Sequence, residues 1–287
     1  MILEPRKLGA MLCCVVLTLA FGTGPTIAEP AQRIVSAGGS ITEIIYALGQ
    51  EHRLVARDST SNHPPEVLDL PNIGYVRRLS AEGLLSVNPD MILAEEGAGP
   101  PETLEVLAET QIPMISIPMG HDRAAVMAKI SAVAAALGVP EQGADLARQV
   151  GTAIDTATAE NDLADKKVLF VLSMQGGRIL AAGSDTAAQG VIEMAGAANA
   201  IAGFEGYKPL SDEAIITAAP DVILMMNSGG HTALTDQEVL THPAIAATPA
   251  GRNGDLLRMD GMLLLGFSVR TGQAITDLAA GLRDANG

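Results

Sequence analysis

The chain has 287 residues, 33 acidic and 18 basic, a formal charge of −15 at pH 7, and no tryptophan. That balance excludes a general nucleic-acid binder. Only two cysteines occur, Cys13 and Cys14, which leaves little room for a disulfide framework or a Cys-based zinc site.

Residues 1–28 read as a secretory signal peptide. Arg6 and Lys7 form a basic start, Leu8 to Phe21 is apolar apart from Gly9 and Thr18, and Thr26-Ile27-Ala28 offers small residues for cleavage. The apolar run is shorter than the about 20 residues of a membrane span. Both cysteines lie inside this segment. One acid (Glu4) and two bases leave with it, so −15 becomes −16. The rest suits two ordinary domains or one large one. Export without disulfides fits a bacterial periplasm.

In chain order, Gln32 to Ser36 is a β-branched strand running into Ala37-Gly38-Gly39-Ser40. Ser40 is expected to cap a helix over Ile41 to Leu48, ended by Gly49. Arg53 to Ala56 is a second strand, followed by a polar loop from Arg57 to Pro65. Ser80 caps a helix with Glu82 in its first turn, where the helix dipole favours a carboxylate. Asn88-Pro89-Asp90 ends it, because proline blocks continuation. Met91 to Ala94 and Ile112 to Ile117 are strands. Strands alternating with helices predict a parallel sheet covered on both faces.

Asp122 to Leu137 is an alanine-rich helix. After Gly138-Val139-Pro140 the helical pattern resumes from Glu141 to about Leu163. This stretch separates two halves and is expected to join them rigidly. The second half opens with the strand Lys167 to Ser173 and the turn Gly176-Gly177-Arg178. A helix over Ala187 to Met194 follows, then a strand over Val222 to Met226. A last strand holds Arg258-Met259-Asp260, and Ser268 to Arg283 is a closing helix.

One fifteen-residue phrase occurs twice. Leu79-Ser-Ala-Glu-Gly-Leu-Leu-Ser-Val-Asn-Pro-Asp-Met-Ile-Leu93 returns as Leu210-Ser-Asp-Glu-Ala-Ile-Ile-Thr-Ala-Ala-Pro-Asp-Val-Ile-Leu224, with seven identities at an offset of 131. A short repeat array would recur every 20 to 50 residues or so. One echo at half the chain length instead predicts two lobes built alike. A cleft between lobes is a usual place for a small ligand.

Catalytic motifs are absent: there is no Gly-x-Ser-x-Gly, no phosphate-binding loop and no His-Glu-x-x-His. Of the five histidines, His63 and His231 are the best-placed ligand candidates, in polar loops after strands. Tyr75 precedes the first repeat copy and Tyr207 the second. Each can pack within its own lobe. Tyr75 differs in having Arg77 and Arg78 close in sequence. Cations favour phenolate over phenol, and a phenolate is a hard ligand for ferric iron, known in haem proteins.

Here the residues carry a resemblance. Arg33-Ile-Val-Ser-Ala-Gly-Gly-Ser40, Arg57-Asp-Ser-Thr-Ser61, Ile73-Gly-Tyr-Val-Arg-Arg-Leu-Ser-Ala-Glu-Gly83, Gly206-Tyr-Lys-Pro-Leu-Ser211, Thr248-Pro-Ala-Gly-Arg252 and Leu263-Leu-Leu-Gly-Phe267 are the matching segments. They resemble those of periplasmic haem-binding proteins of bacterial haem ABC importers. That family sits in a wider group of substrate-binding proteins with a rigid interdomain helix, which also serves cobalamin and ferric siderophores. The Gly-Tyr-x-Arg-x-Leu-Ser-Ala-Glu segment is the specific part.

The resemblance implies two Rossmann-like α/β lobes, over residues 29–121 and 164–287, joined by a long interdomain helical segment at 122–163. The ligand cleft lies between them. It implies haem as transported ligand, Tyr75 as its iron ligand, and Arg57, Arg77 and Arg78 holding propionates or stabilising the phenolate. Charge-assisted bonds suit that task. It implies that Glu82 and Glu213 dock on an inner-membrane permease dimer with its ATPase. The protein would be a periplasmic monomer and not an enzyme. Where some members carry a histidine for a second, stacked haem, this chain reads Ser173-Met174-Gln175-Gly176. Met174 is a soft ligand candidate there, with packing as its other role, and the number of haems stays open. Two alternatives also stay open: the same fold binding a ferric siderophore or cobalamin, and a tetrapyrrole-metabolism enzyme on a two-lobed scaffold.

Overall fold

The first lobe is built from β1 (Ile34–Ala37), α1 (Gly39–Ala47), β2 (Leu54–Arg57), α2 (Ala81–Ser86), β3 (Met91–Glu95), α3 (Pro101–Ala108) and β4 (Met114–Ile117). Its sheet runs β2-β1-β3-β4 with every pairing parallel. Each residue of the central strands β1 and β3 is buried, as a parallel sheet covered on both faces requires. Alternation sorts them by face. Ile34, Met91 and Leu93 pack with Ile41, Ile44 and Ile45 of α1. Val35, Ile92 and Ala94 pack with Ile73, Leu84 and Leu107. The computed structural model describes Met1 and residues 30–159, 162–227 and 234–285. The expected signal peptide and His231 lie outside the described residues.

One local expectation is corrected here. Ser40 does not cap α1: the helix starts at Gly39, with Gly38 at its N-cap. Ser40 is buried instead, and its hydroxyl donates to Glu95 Oε1 at 2.9 Å.

The helical stretch between the halves is a pair, α4 (Arg123–Leu137) and α5 (Pro140–Ala159). Asp122 caps α4 by accepting from Ala125 N at 2.7 Å, and Gly138 ends it in the left-handed conformation. The two helices pack on each other, and α4 also packs on α1 and β4.

The second lobe follows as β5 (Lys167–Gln175), β6 (Arg178–Ala182), α6 (Ala187–Met194), β7 (Ala198–Asn199), β8 (Tyr207–Leu210), α7 (Asp212–Ala218) and β9 (Val222–Met226). After these come α8 (Asp236–Leu240), α9 (Pro243–Ala246), α10 (Pro249–Asn253), β10 (Leu256–Met259), α11 (Gly261–Leu265) and α12 (Thr271–Asp284). The sheet order is β10-β9-β5-β6-β8, with β7 beside β5. Strands β10, β9 and β5 are parallel, as expected. Strands β6 and β8 are antiparallel. The cause is the turn: Gly176 and Gly177, at φ +56° and +74°, close a two-residue hairpin that pairs Gln175 with Arg178. Both central positions of such a turn need positive φ, which glycine adopts without strain.

Residues from Ala31 onward form one compact unit. A single hydrophobic cluster joins its two sheets. It passes from Ile34 and Leu93 through Val126, Ile130 and Val133 of α4 and Val150 and Ile154 of α5. It then reaches Phe170, Leu224, Ile275 and Leu278 of the second lobe. Helix α12 packs against α5 and closes this joint. A shared, close-packed core resists large hinge motion. No described helix is long and apolar enough to cross a membrane.

Candidate functional site: the interlobe cleft

A cleft of about 490 Å³ opens between the lobes, within the size range of small-ligand sites. Thr60, Asn62, Tyr75, Val76, Arg77, Glu95 and Met119 line it from the first lobe. Leu172, Met226, Asn227, Asp260, Gly261, Met262, Leu265 and Gly266 line it from the second. Many of these residues stand at or just beyond a strand's carboxyl end: Glu95 ends β3, Met226 ends β9, and Asp260 follows β10. Open parallel sheets place ligands there.

Tyr75 is held by its neighbours. Ile73, Val76 and Leu79 are buried in the first lobe, so Tyr75, Arg77 and Arg78 between them face outward. The backbone around it is pinned to the end of β2: Ile73 N donates to Arg57 O at 2.9 Å and Ser59 N to Gly74 O at 2.8 Å. The Tyr75 ring is left 47% exposed on the cleft wall. Arg77 lies in the same wall, with Nη1 donating to Glu96 O at 2.7 Å. A phenol and a guanidinium two residues apart can bind an oxophilic metal centre and an anionic substituent of one ligand.

Tyr207, its counterpart by sequence position, does something else. Its ring packs edge-on against Phe170 with centroids 6.3 Å apart, and burial raises its pKa. Only the first-lobe tyrosine reaches the cleft among the described residues.

Other candidates are placed away from the cleft. Arg57 is 9% exposed; its Nε donates to Val67 O at 3.1 Å and its Nη1 to Asp58 O at 3.2 Å. That is a correction, because its guanidinium is spent on backbone carbonyls inside the lobe. The following Asp58 is fully buried and accepts from Gly38 N, Thr60 Oγ1 and Ser61 Oγ. The Arg57-Asp-Ser-Thr-Ser61 segment therefore ties the β1–α1 turn in place. Arg78 is exposed and His63 half-buried, and neither lines the cleft. Met174 packs against the second lobe's outer core while Leu172 takes the cleft position.

Glu82 and Glu213 are both exposed, in the first turns of α2 and α7. Ser80 caps α2 through Gly83 N at 2.9 Å, and Ser211 caps α7 through Ala214 N at 3.2 Å. In each copy the next core position, Leu84 or Ile215, is fully buried. Hydrogen bonds from its own backbone N–H and from Ser211 lower the Glu213 pKa. The repeat thus presents one exposed carboxylate at an equivalent place on each lobe.

Residue-by-residue reading missed Glu95, Met119, Met226, Asp260 and Met262. Glu95 is mostly buried; burial raises its pKa, partly offset by Lys129 and by the Ser40 hydroxyl. The available signal was position: all five follow or end a strand. The methionines carry no mark of their own until the fold brings them to the two cleft walls.

The model of one family, described as periplasmic binding protein, matches residues 34–263. The chain belongs to the periplasmic binding protein family. Among its solved relatives, the periplasmic heme-binding protein RhuT from Roseiflexus sp. RS-1, in apo form, is 42% identical with a TM-score of 0.84. That match covers 89% of this chain and 99% of RhuT. Periplasmic heme-binding protein BhuT, solved in complex with two hemes, is 39% identical with a TM-score of 0.82, covering 88% of this chain and 98% of BhuT. The vitamin B12-binding protein of Vibrio campbellii (strain ATCC BAA-1116) is 26% identical over 211 residues, 73% of this chain and 76% of that one.

Proposed function

We propose that this periplasmic binding protein captures haem in the interlobe cleft and delivers it to an inner-membrane ABC transporter. The carrying observation is Tyr75: an exposed phenol on the cleft wall, beside Arg77, in a chain 42% identical to a heme-binding relative. Tyr75 would bind ferric iron as phenolate, and Arg77 would meet a propionate. Arg78, exposed and next to Arg77 in the chain, is the reserve cation. Leu172, Leu265 and the thioethers of Met119, Met226 and Met262 supply apolar walls for a flat macrocycle. Methionine fits such a surface because it is flexible and polarisable.

The protein works as a monomer exported by its N-terminal segment, with Glu82 and Glu213 meeting the two halves of a permease dimer that its ATPase drives. Equivalent carboxylates on two similar lobes match two equivalent subunits. A second reading, cobalamin as ligand, draws on the B12-binding relatives. The absence of tryptophan and the 2% aromatic content speak for haem over a ligand that needs aromatic walls.

Titration of the purified protein with haemin, followed by absorbance, tests this. A saturable Soret change with a tyrosinate charge-transfer band is expected, and none with cyanocobalamin. Tight cobalamin binding without a haem response would overturn the reading. Haem degraded on prolonged incubation with reductant would point to an enzyme instead.

A further inference from the structure

We infer that Lys129 is a positioning residue for the bound ligand: it ties the two walls of the cleft together from beneath. Lysine is almost never fully buried unless paired, yet Lys129, midway along α4, has no solvent exposure. Its ammonium donates to Ser40 Oγ in the first lobe at 3.1 Å and to Gly266 O in the second at 3.1 Å. Ser40 Oγ in turn donates a hydrogen bond to Glu95 Oε1 at 2.9 Å. Glu95 and Gly266 both line the cleft, one from each wall. The route from wall to wall therefore runs Glu95, Ser40, Lys129, Gly266.

Two further observations show that the joint is tight. A Cβ on Gly39 would lie 2.5 Å from Met262 Cε, so the lobes already touch at the cleft floor. Beyond Gly266 comes Phe267, buried and at φ +48°, a conformation that bulky side chains avoid. Such a residue persists where its surroundings over-determine it. Lys129 holds the carbonyl before Phe267, the His121 ring packs against it in a T-shaped contact with centroids 5.6 Å apart, and Glu43 holds Ser268 and Arg270 after it. Helix α11, which carries Gly261, Met262 and Leu265 of the second wall, ends at this point. Its height above Tyr75 is set by the Lys129 bond. A ligand clamped between the walls and bound through one axial atom needs that height held.

The inference rests on the haem reading only for its ligand readout. The body from Ala31 onward holds no cysteine, so spin labels at Glu82→Cys and Glu213→Cys report the interlobe distance alone. In Lys129→Met, and in Lys129→Met/Glu95→Gln, which removes the carboxylate left without its cation, the apo distance distribution should broaden or shift. Haemin affinity should fall tenfold or more, and the tyrosinate band of the bound form should move. A role in folding alone would lower the melting temperature and leave distance, affinity and band unchanged, which overturns the inference. If neither variant folds, Ser40→Ala keeps Lys129 and its Gly266 bond but cuts the link to the first wall. It should broaden the same distribution, and an unchanged one rejects the idea. Wild-type protein that ignores haemin rejects the ligand reading, while the distance measurements still decide this one.

Discussion

Glu43 and Arg270 lie 227 residues apart in the chain and form an ion pair between α1 and the segment that leads into α12. Arg270 Nε donates to Glu43 Oε2 at 3.0 Å, Arg270 Nη2 donates to Oε1, and Ser268 donates to the same carboxylate. The carboxylate is 3% exposed, so this pair sits in the joint between the lobes, not on the surface. Removing one partner of a buried pair leaves an uncompensated charge and costs about 3 to 5 kcal/mol. Arg270→Met should therefore lower the urea midpoint sharply. Glu43→Gln/Arg270→Met should recover much of the loss, because no charge is then stranded. A midpoint unchanged in the single variant would show that the pair contributes nothing.

Tyr75→Phe keeps the ring and removes the iron-binding oxygen. The tyrosinate charge-transfer band should vanish and haemin binding should weaken at least tenfold. Tyr207→Phe should leave both unchanged, since that ring packs against Phe170. Absorbance spectra of the three proteins decide the matter, and an intact tyrosinate band in Tyr75→Phe would place the ligand on another tyrosine and overturn the assignment.

The two arginines should separate cleanly. Charge-assisted hydrogen bonds contribute about 1.5 to 3 kcal/mol, so Arg77→Ala should weaken haemin binding tenfold or more with little change in stability. Arg57→Ala should do the reverse. It leaves carbonyls of Val67 and Asp58 without their donor, at a cost of about 1 to 3 kcal/mol, while haemin affinity holds. Paired denaturation and titration curves check both.

Charge reversal at Glu82 and Glu213 together should abolish haem-dependent growth through the importer. The haemin spectrum and melting temperature should stay as in the wild type, because both side chains are exposed and neither lines the cleft. Exposed charges at an interface mainly steer and register the contact. Normal growth of the double variant would leave the repeat as a feature of folding alone.

His121 supplies a pH dependence. Burial lowers its pKa from the usual 6.5; Asp185 and Asp122 pull it back up, and Lys129 pushes it down. The folded state then binds a proton less tightly than the unfolded chain. Stability from this group is full above pH 6.5 and is lost as pH falls through the depressed value. The drop in urea midpoint between pH 7.5 and 5.5 should be smaller in His121→Asn than in the wild type. Equal drops would show that His121 binds its proton equally well in the folded and unfolded states.

Much of this molecule is legible before folding. The β-branched runs at Ile34 and Val222, the helix from Ala187 to Met194 and the serine caps at Ser80 and Ser211 are local properties of backbone and side chain. The repeat located two similar lobes, and two cations beside one tyrosine singled out Tyr75. What only the tertiary structure decided is where polar groups find partners. Arg57 and Arg77 look alike in the chain, yet one is buried against carbonyls and the other lines the cleft. Ser40 looks like a helix cap and instead links Glu95 to Lys129. A buried charge or hydroxyl must be satisfied by whatever the fold brings near it, and the partners of Ser40 and Lys129 stand 55 to 137 residues away. Chain order carries the propensity of each element; only packing carries the identity of its neighbours.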